Sequence, residues 1–301
     1  MVSRLSDKAG SLRSPVARQS AFQSWVVLGI GLIAAGVWVW LAQYLGATID
    51  IASIAQTMGI YYALLFAPLI ALAWVLGRTE RRAVWCAGLA PARWFGRGTA
   101  FGLGGLAVTV GFAALNGGLI RGEAGGISAG FLLVGVALTF FQVFAEELLF
   151  RGWLQQALIA RVGTLAGVGI GAVLFAAFHL GAGVRAPVSL FNLMLGGIWF
   201  GLLALRSGGL IAPLAAHFAW NVVEDLGVGL TPNPGTGPLG AFIDLDLSGL
   251  PIWGGQPEAL NASIGTSLVL LALILPLLQF PWQSAAKNQA TATRSLVPGE
   301  A

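Results

Sequence analysis

The sequence predicts an all-α, polytopic membrane bundle of about eight transmembrane helices. Three observations carry that prediction. Only 9% of the 301 residues are charged and 57% are hydrophobic, against roughly 25% charged in an ordinary soluble domain. The apolar residues gather in runs of about 20, the length an α-helix needs to cross the hydrocarbon layer. Glycine is abundant, at 43 residues, which suits bundles in which small side chains let helices approach closely.

Taken in order, the first span, 24–46, follows a polar, basic segment holding Arg4, Lys8, Arg13 and Arg18. Its apolar run is too long for a signal-peptide core, and no small-residue cleavage site follows. Spans two and three, 58–77 and 99–119, bracket a loop with Arg78, Arg81, Arg82, Arg93 and Arg97. Within that loop, Trp85 to Phe95 is mildly amphipathic and reads as an interfacial segment. Spans four and five, 130–151 and 164–181, meet at a tight turn near Val162 and Gly163. Span six is 188–205. Gly197 and Gly201 within it, like Gly167 and Gly171 in span five, have small-xxx-small spacing. Span seven, 208–225, is short and interrupted by polar residues. Thr231 to Asn261 is rich in Pro and Gly, has no Lys or Arg, and reads as an ordered extracytoplasmic loop. Span eight is 264–281. The expected organisation is a cytoplasmic tail 1–23, a membrane domain 24–282 with its functional core at about 130–225, and a disordered cytoplasmic tail 283–301.

Charge distribution orients the bundle. Arg161, Arg206, Lys287 and Arg294 fall on the side of the N-terminal tail and of the Arg78–Arg97 loop; the other side has Arg121 and Arg185 and the acids Asp50, Glu123, Asp244, Asp246 and Glu258. By the positive-inside rule both termini are cytoplasmic, and the chain reads as a multi-pass protein of a bacterial plasma membrane. The net charge of +4 is spread over loops without a dense basic patch among aromatics, so no nucleic-acid partner is expected. The single cysteine, Cys86, excludes an intrachain disulfide and reads as a small filler. No internal repeat is evident, which disfavours an inverted-repeat transporter.

Against this apolar background a few polar residues stand out. Ser128 to Phe150 is apolar apart from Gln142, Glu146 and Glu147, and Arg151 follows at once. Ionisable groups inside a membrane are costly and point to function. Glu147 and Arg151 are four apart and pair on one helix face, Glu first, the favoured order. Glu146 points about 100° away, without a local partner, and is the candidate general base towards water. The only histidines are His179 and His217. Glu146 and His179 lie almost equally far from the Val162–Gly163 turn, so an antiparallel pair sets them at one height, where they can hold a water. His217 and Asn221, four apart, share a face and can donate to one point, as an oxyanion hole requires. Glu224 lies one turn further on, at the expected pocket mouth. Each pattern alone also fits a structural role: a buried ion-pair strut, or polar side chains bridging membrane helices.

Three stretches then resemble the motifs of a known family. Glu146-Glu147-Leu-Leu-Phe-Arg151 matches EExxxR, Phe175-Ala-Ala-Phe-His179 matches FxxxH, and His217-Phe-Ala-Trp-Asn221 matches HxxxN of the CPBP family, the CAAX-protease and bacteriocin-processing group. The run from Gly197 to Gly201 and on through Ser207–Leu210 to Pro213 resembles the stretch before the third motif, so the likeness covers roughly 130–222. The resemblance implies an eight-helix intramembrane glutamic endopeptidase without a cofactor. In it Glu146 activates water, His179 positions it, His217 and Asn221 hold the oxyanion, and Glu147 and Arg151 support the site. Its partners would be the lipid bilayer and a peptide or protein substrate, lipid-modified or not. Prenyl-protease members resemble sites open to the cytoplasm. Glu146 and His179 lie about 25 Å along ideal helices from the cytoplasmic turn, so helix four is expected to protrude, with Gln155, Gln156 and Arg161 on the extension. Other readings stay open: a zinc peptidase with Glu146, His179 and His217 as ligands, a non-enzymatic scaffold or bacteriocin-immunity protein, and a proton-coupled transporter.

Overall fold

The computed structural model describes residues 15–49, 53–123 and 126–279. The expected C-terminal tail and the first 14 residues lie outside the described residues. Among those described, the fold is an all-α bundle with one small two-stranded sheet. The helices are α1 (Pro15–Gly46), α2 (Ile54–Thr79), α3 (Pro91–Leu115), α4 (Ala129–Val162), α5 (Thr164–Gly181), α6 (Pro187–Ser207), α7 (Ile211–Val222) and α8 (Ile264–Leu278). α1 to α6 are long and apolar enough to cross a membrane. The two remaining predicted spans fall on the shorter helices. Predicted span seven is a 12-residue α-helix that runs into a π-helical turn, Val223–Gly227. Together they are shorter than the ~20 residues of a full crossing.

α6 is the central helix. In its most apolar window 61% of residues are buried, against 28% for α1, α2 and α4. The outer helices instead turn Ile33, Trp40, Val75, Val108 and Leu133 outward, as lipid-facing surfaces require. Trp153 on α4 and Trp199 on α6 are fully buried.

Local chemistry explains the packing. Pro68 sits inside α2 and has no N–H for the carbonyl of Leu64. In lipid an orphaned carbonyl must find another donor. The Trp38 indole of α1 donates to Leu64 O and Leu65 O, both at 3.2 Å, so the proline's defect becomes an interhelix link. Between α3 and α7 the glycines act by absence: a Cβ on Gly98 or Gly102 would stand 2.4 or 2.3 Å from the carbonyls of Ala212 and Ala216. The same holds in α6, where a Cβ on Gly197 would meet Ala172 Cα at 2.8 Å and one on Gly201 would meet Gln155 Oε1 at 2.5 Å.

The segment Trp85 to Phe95 divides at Pro91, where α3 begins and takes Arg93, Trp94 and Phe95 into its first turn. The residues before it are pinned by backbone bonds, Leu89 N to Ser207 O and Leu210 N to Cys86 O, both 2.8 Å. Cys86 is exposed at the surface.

The Pro/Gly-rich stretch between α7 and α8 is ordered as a cap over one end of the bundle. Its strand β2 (Leu245–Leu247) pairs antiparallel with β1 (Leu119–Arg121), Leu119 opposite Leu247. Asn233 brackets Leu247 from both sides, donating to its carbonyl at 2.9 Å and accepting from its N–H at 2.7 Å. Asn192 of α6 donates to Asn261 O and Ser263 O, both at 2.8 Å. Glu258 accepts from the backbone N–H groups of Arg185 and Ala186, at 2.8 and 3.1 Å, just before α6 begins. Partial burial opposes ionisation of this carboxyl. The Ser189 hydroxyl, those two N–H donors and the Arg185 charge outweigh it and hold Glu258 below the ordinary glutamate range.

Candidate active site

α4 changes pitch where its acids sit. The α-helical part ends at Glu147, residues Leu148–Leu154 form a π-helical turn, and α-helix resumes to Val162. Such insertions recur at functional sites because they re-aim side chains without ending the helix. A second π-turn, Val223–Gly227, follows Asn221, with Val228 N bonded to Val223 O at 2.8 Å.

Glu147 is 1% exposed and bound twice through one oxygen. Oε1 accepts from Arg151 Nη1 at 2.9 Å and from His217 Nδ1 at 2.9 Å. The Arg151 pair is the one expected from four-residue spacing. The His217 bond is new, and it ties α4 to α7. Arg151 lies over the rings of Phe175 and Phe200, 4.5 and 5.2 Å from their centroids, so the buried cation has aromatic faces as well as a carboxylate. Its Nη2 donates to Gly197 O at 3.3 Å, and one turn on, Gln155 Nε2 donates to Gly201 O at 3.1 Å. These two rungs join parallel helices α4 and α6, and at Gly201 the absent Cβ leaves the room that Gln155 fills.

Glu146 is not without a local partner, contrary to the reading of the sequence. Gln142, one turn earlier, donates to Oε1 at 3.1 Å. The four-residue spacing was visible, but Gln142 had been counted only as a polar interruption. The second oxygen, Oε2, is buried and without a hydrogen-bond partner. It stands 3.9 Å from His217 Nε2, beyond direct hydrogen-bond reach.

His179 Nδ1 lies 2.8 Å from Phe175 O. A carbonyl can only accept, so Nδ1 carries the proton and Nε2 of the neutral ring is an acceptor. His217 follows the same logic against Glu147: Nδ1 donates, and Nε2 donates as well only when the ring is an imidazolium. The ring stacks on Phe200, centroids 4.5 Å apart.

Glu146, His179, His217 and Asn221 all line one cavity of about 220 Å³ between α4, α5, α6, α7 and the cap. Gln142, Glu146 and His179 also line a second cavity of about 210 Å³ on the other side, walled by Tyr61, Tyr62, Phe66 and Phe178. The spans thus bring together the four candidate residues, and Glu146 and His179 sit at comparable depth, as the turn-counting argument expected.

The first cavity is bounded by Val184, Thr231 and Asn261, from the α5–α6 loop and the cap, at the end away from Gly163. His179 is only two residues from the end of α5, which is why the site lies at that end. α4 does continue to Val162, but its extension is not a free protrusion: Gln155 is buried on Gly201 O, and Arg161 bonds Ser24 O at 2.6 Å and pairs with Glu80. Glu224, expected at the mouth, is instead 5% exposed and inside the cavity wall. The zinc alternative finds no support: among the described residues no three His, Cys, Asp or Glu side chains are grouped to hold a metal ion.

Comparison with known proteins agrees with the motif reading. Residues 128–223 match the family described as type II CAAX prenyl endopeptidase Rce1-like, and that stretch holds every residue of the three motifs. No curated protein matches the chain. The family implies protease activity, peptide substrates and a membrane setting. Residues 128–223 are thus similar to the Rce1-like branch of the CPBP family.

Proposed function

We propose that this protein is an intramembrane endopeptidase in which Glu146 activates water without a metal ion. One observation supports the reading above the others. Glu146 keeps one carboxylate oxygen buried and unbonded, 3.9 Å from His217 Nε2, on a wall shared by two cavities. A carboxylate held by Gln142 through one oxygen alone has the other ready to accept a proton from water.

The chemistry follows from the donors and acceptors present. A water donating to Glu146 Oε2 and to His179 Nε2 is oriented by two acceptors. As it attacks the scissile carbonyl, its proton passes to Glu146 and a tetrahedral oxyanion forms. Asn221 donates to that oxygen through its amide. His217 joins as a second donor when its ring is an imidazolium, with Nδ1 held on Glu147. Collapse of the intermediate returns the proton from Glu146 to the leaving amine. Preorganised donors of this kind contribute several kcal/mol in a dry site, roughly 3–4 for one oxyanion donor. Glu147 and Arg151 orient His217 and do not touch the reacting atoms.

We also read both termini as cytoplasmic, in a bacterial plasma membrane, on the arginine distribution. In that orientation the polar cavity faces the extracytoplasmic side, beneath the cap. A substrate carrying a lipid remains one option within this reading.

The test is peptide cleavage by purified protein in liposomes, comparing wild type with Glu146→Gln and Glu147→Gln on a mixed library that includes prenylated C-termini, with and without chelator. Cleavage that survives chelator and dies in folded Glu146→Gln supports the mechanism. A well-folded wild type that cuts nothing while still binding a partner overturns it in favour of a scaffold or immunity role. Loss of cleavage on adding chelator would revive the zinc alternative.

A further inference from the structure

The mechanism leaves one buried carboxyl in the polar cavity unused. Glu224 sits in the second π-turn, on the same face of α7 as His217 and Asn221. Its Oε2 accepts from Trp220 Nε1 at 2.8 Å, while Oε1 is buried with no hydrogen-bond partner. Asp225 lines the same cavity. Thus Glu146, Glu224 and Asp225 contribute three carboxyl groups, and no lysine or arginine lines that cavity. The nearby Arg151 is already committed to Glu147. An orphaned carboxylate oxygen away from water is expensive; a proton relieves it in the free protein, and a cationic ligand can take the proton's place when bound.

We propose that Glu224, with Asp225 beside it, is a recognition site for a cationic group of the peptide substrate, an ammonium or guanidinium side chain. The proposal rests on the peptidase reading for the word substrate and on the cavity alone for the cation. Position along the substrate follows from helix geometry. His217 and Glu224 are seven residues apart, about 10 Å of rise. An extended peptide advances about 3.4 Å per residue. The cation therefore belongs about three residues from the scissile bond. Glu224 is a specificity residue, and Trp220 fixes its carboxyl in place.

The experiment uses the full-length Glu146→Gln protein in detergent, which holds peptides without cutting them. Fluorescently labelled apolar nonapeptides carry either lysine or its neutral near-isostere norleucine at one position, moved stepwise from the centre. Lysine is expected to bind at least tenfold more tightly than norleucine at one position about three residues from the centre. Adding Glu224→Gln, which keeps an acceptor for Trp220, is expected to bring that ratio to near one. A ratio near one at every position in the parent, or a preference that survives Glu224→Gln, overturns the proposal. Because binding is read directly, a wild type that fails to cleave would count against the peptidase reading and leave this measurement decisive for the cation site.

Discussion

The two cavities that meet at Glu146 are nearly equal in volume, about 210 and 220 Å³, and opposite in chemistry. On the α1–α2 side the wall is aromatic and aliphatic, with Tyr61, Tyr62, Leu65 and Phe66. On the α6–α7 side it carries His217, Asn221, Glu224 and Asp225. The shared wall is Gln142, Glu146 and His179. For the base we propose at Glu146, the difference teaches how one carboxylate can serve two surroundings: apolar surface on one side excludes water, and donors on the other are placed to receive developing charge.

The largest effect should come from the shared wall. Glu146→Gln is expected to lower peptide hydrolysis by about 10²–10⁴-fold, the range for loss of a general base, with the fold unchanged by circular dichroism. A mutant that retains most activity would sink the assignment of the base. Next, on the polar side, Asn221→Ala should lower kcat about 10²–10³-fold with little change in KM, as for loss of one oxyanion donor. A change in KM alone would make Asn221 a binding residue instead. On the apolar side, Leu65→Trp fills space without touching the donors. It should raise KM up to about tenfold and spare kcat, and an equal loss of kcat would show that the two cavities are not chemically distinct.

The smallest effect lies in the cap that roofs the polar side. Glu258→Gln should lower the melting temperature by about 1–2 °C near neutral pH. The folded-state value of this carboxyl is depressed, so its contribution is present above the unfolded value, near 4.3. It is lost as pH falls through the folded value. Melting curves of wild type and variant should therefore converge in acid. A gap that persists there would assign the loss to packing.

Long elements and paired charges were legible from residues alone. α5 matches its predicted bounds because Gly163 and Gly183, both with positive φ, flank it, and the Glu147–Arg151 pair follows from four-residue spacing on one helix. The convergence of Glu146 and His179 was readable from turn counting, since a tight turn leaves little freedom in relative height. Less was legible where the answer depended on a partner distant in sequence. The His217–Glu147 bond joins residues 70 apart, and nothing local to either announces it. The π-turns escaped detection because leucine, phenylalanine and valine suit either pitch. Span seven reads as short from the sequence, and its α-helix indeed ends at Val222, where the π-turn begins. Helix α3 opens ahead of predicted span three, at Pro91, a residue well suited to opening a helix.

The two rungs from Arg151 and Gln155 to the carbonyls of Gly197 and Gly201 also bear on how the chain assembles. Helices in lipid can slide along one another at little cost, because tails and apolar side chains are alike to each other. A slip of one turn would set Gln155 against Gly197 and bring Leu193 opposite the arginine, whose pair with Glu147 lies within α4 and moves with it. The ladder thus acts as a vernier: two helices that enter the bilayer separately have one alignment at which both marks coincide, and every other alignment is rejected before catalysis is ever attempted.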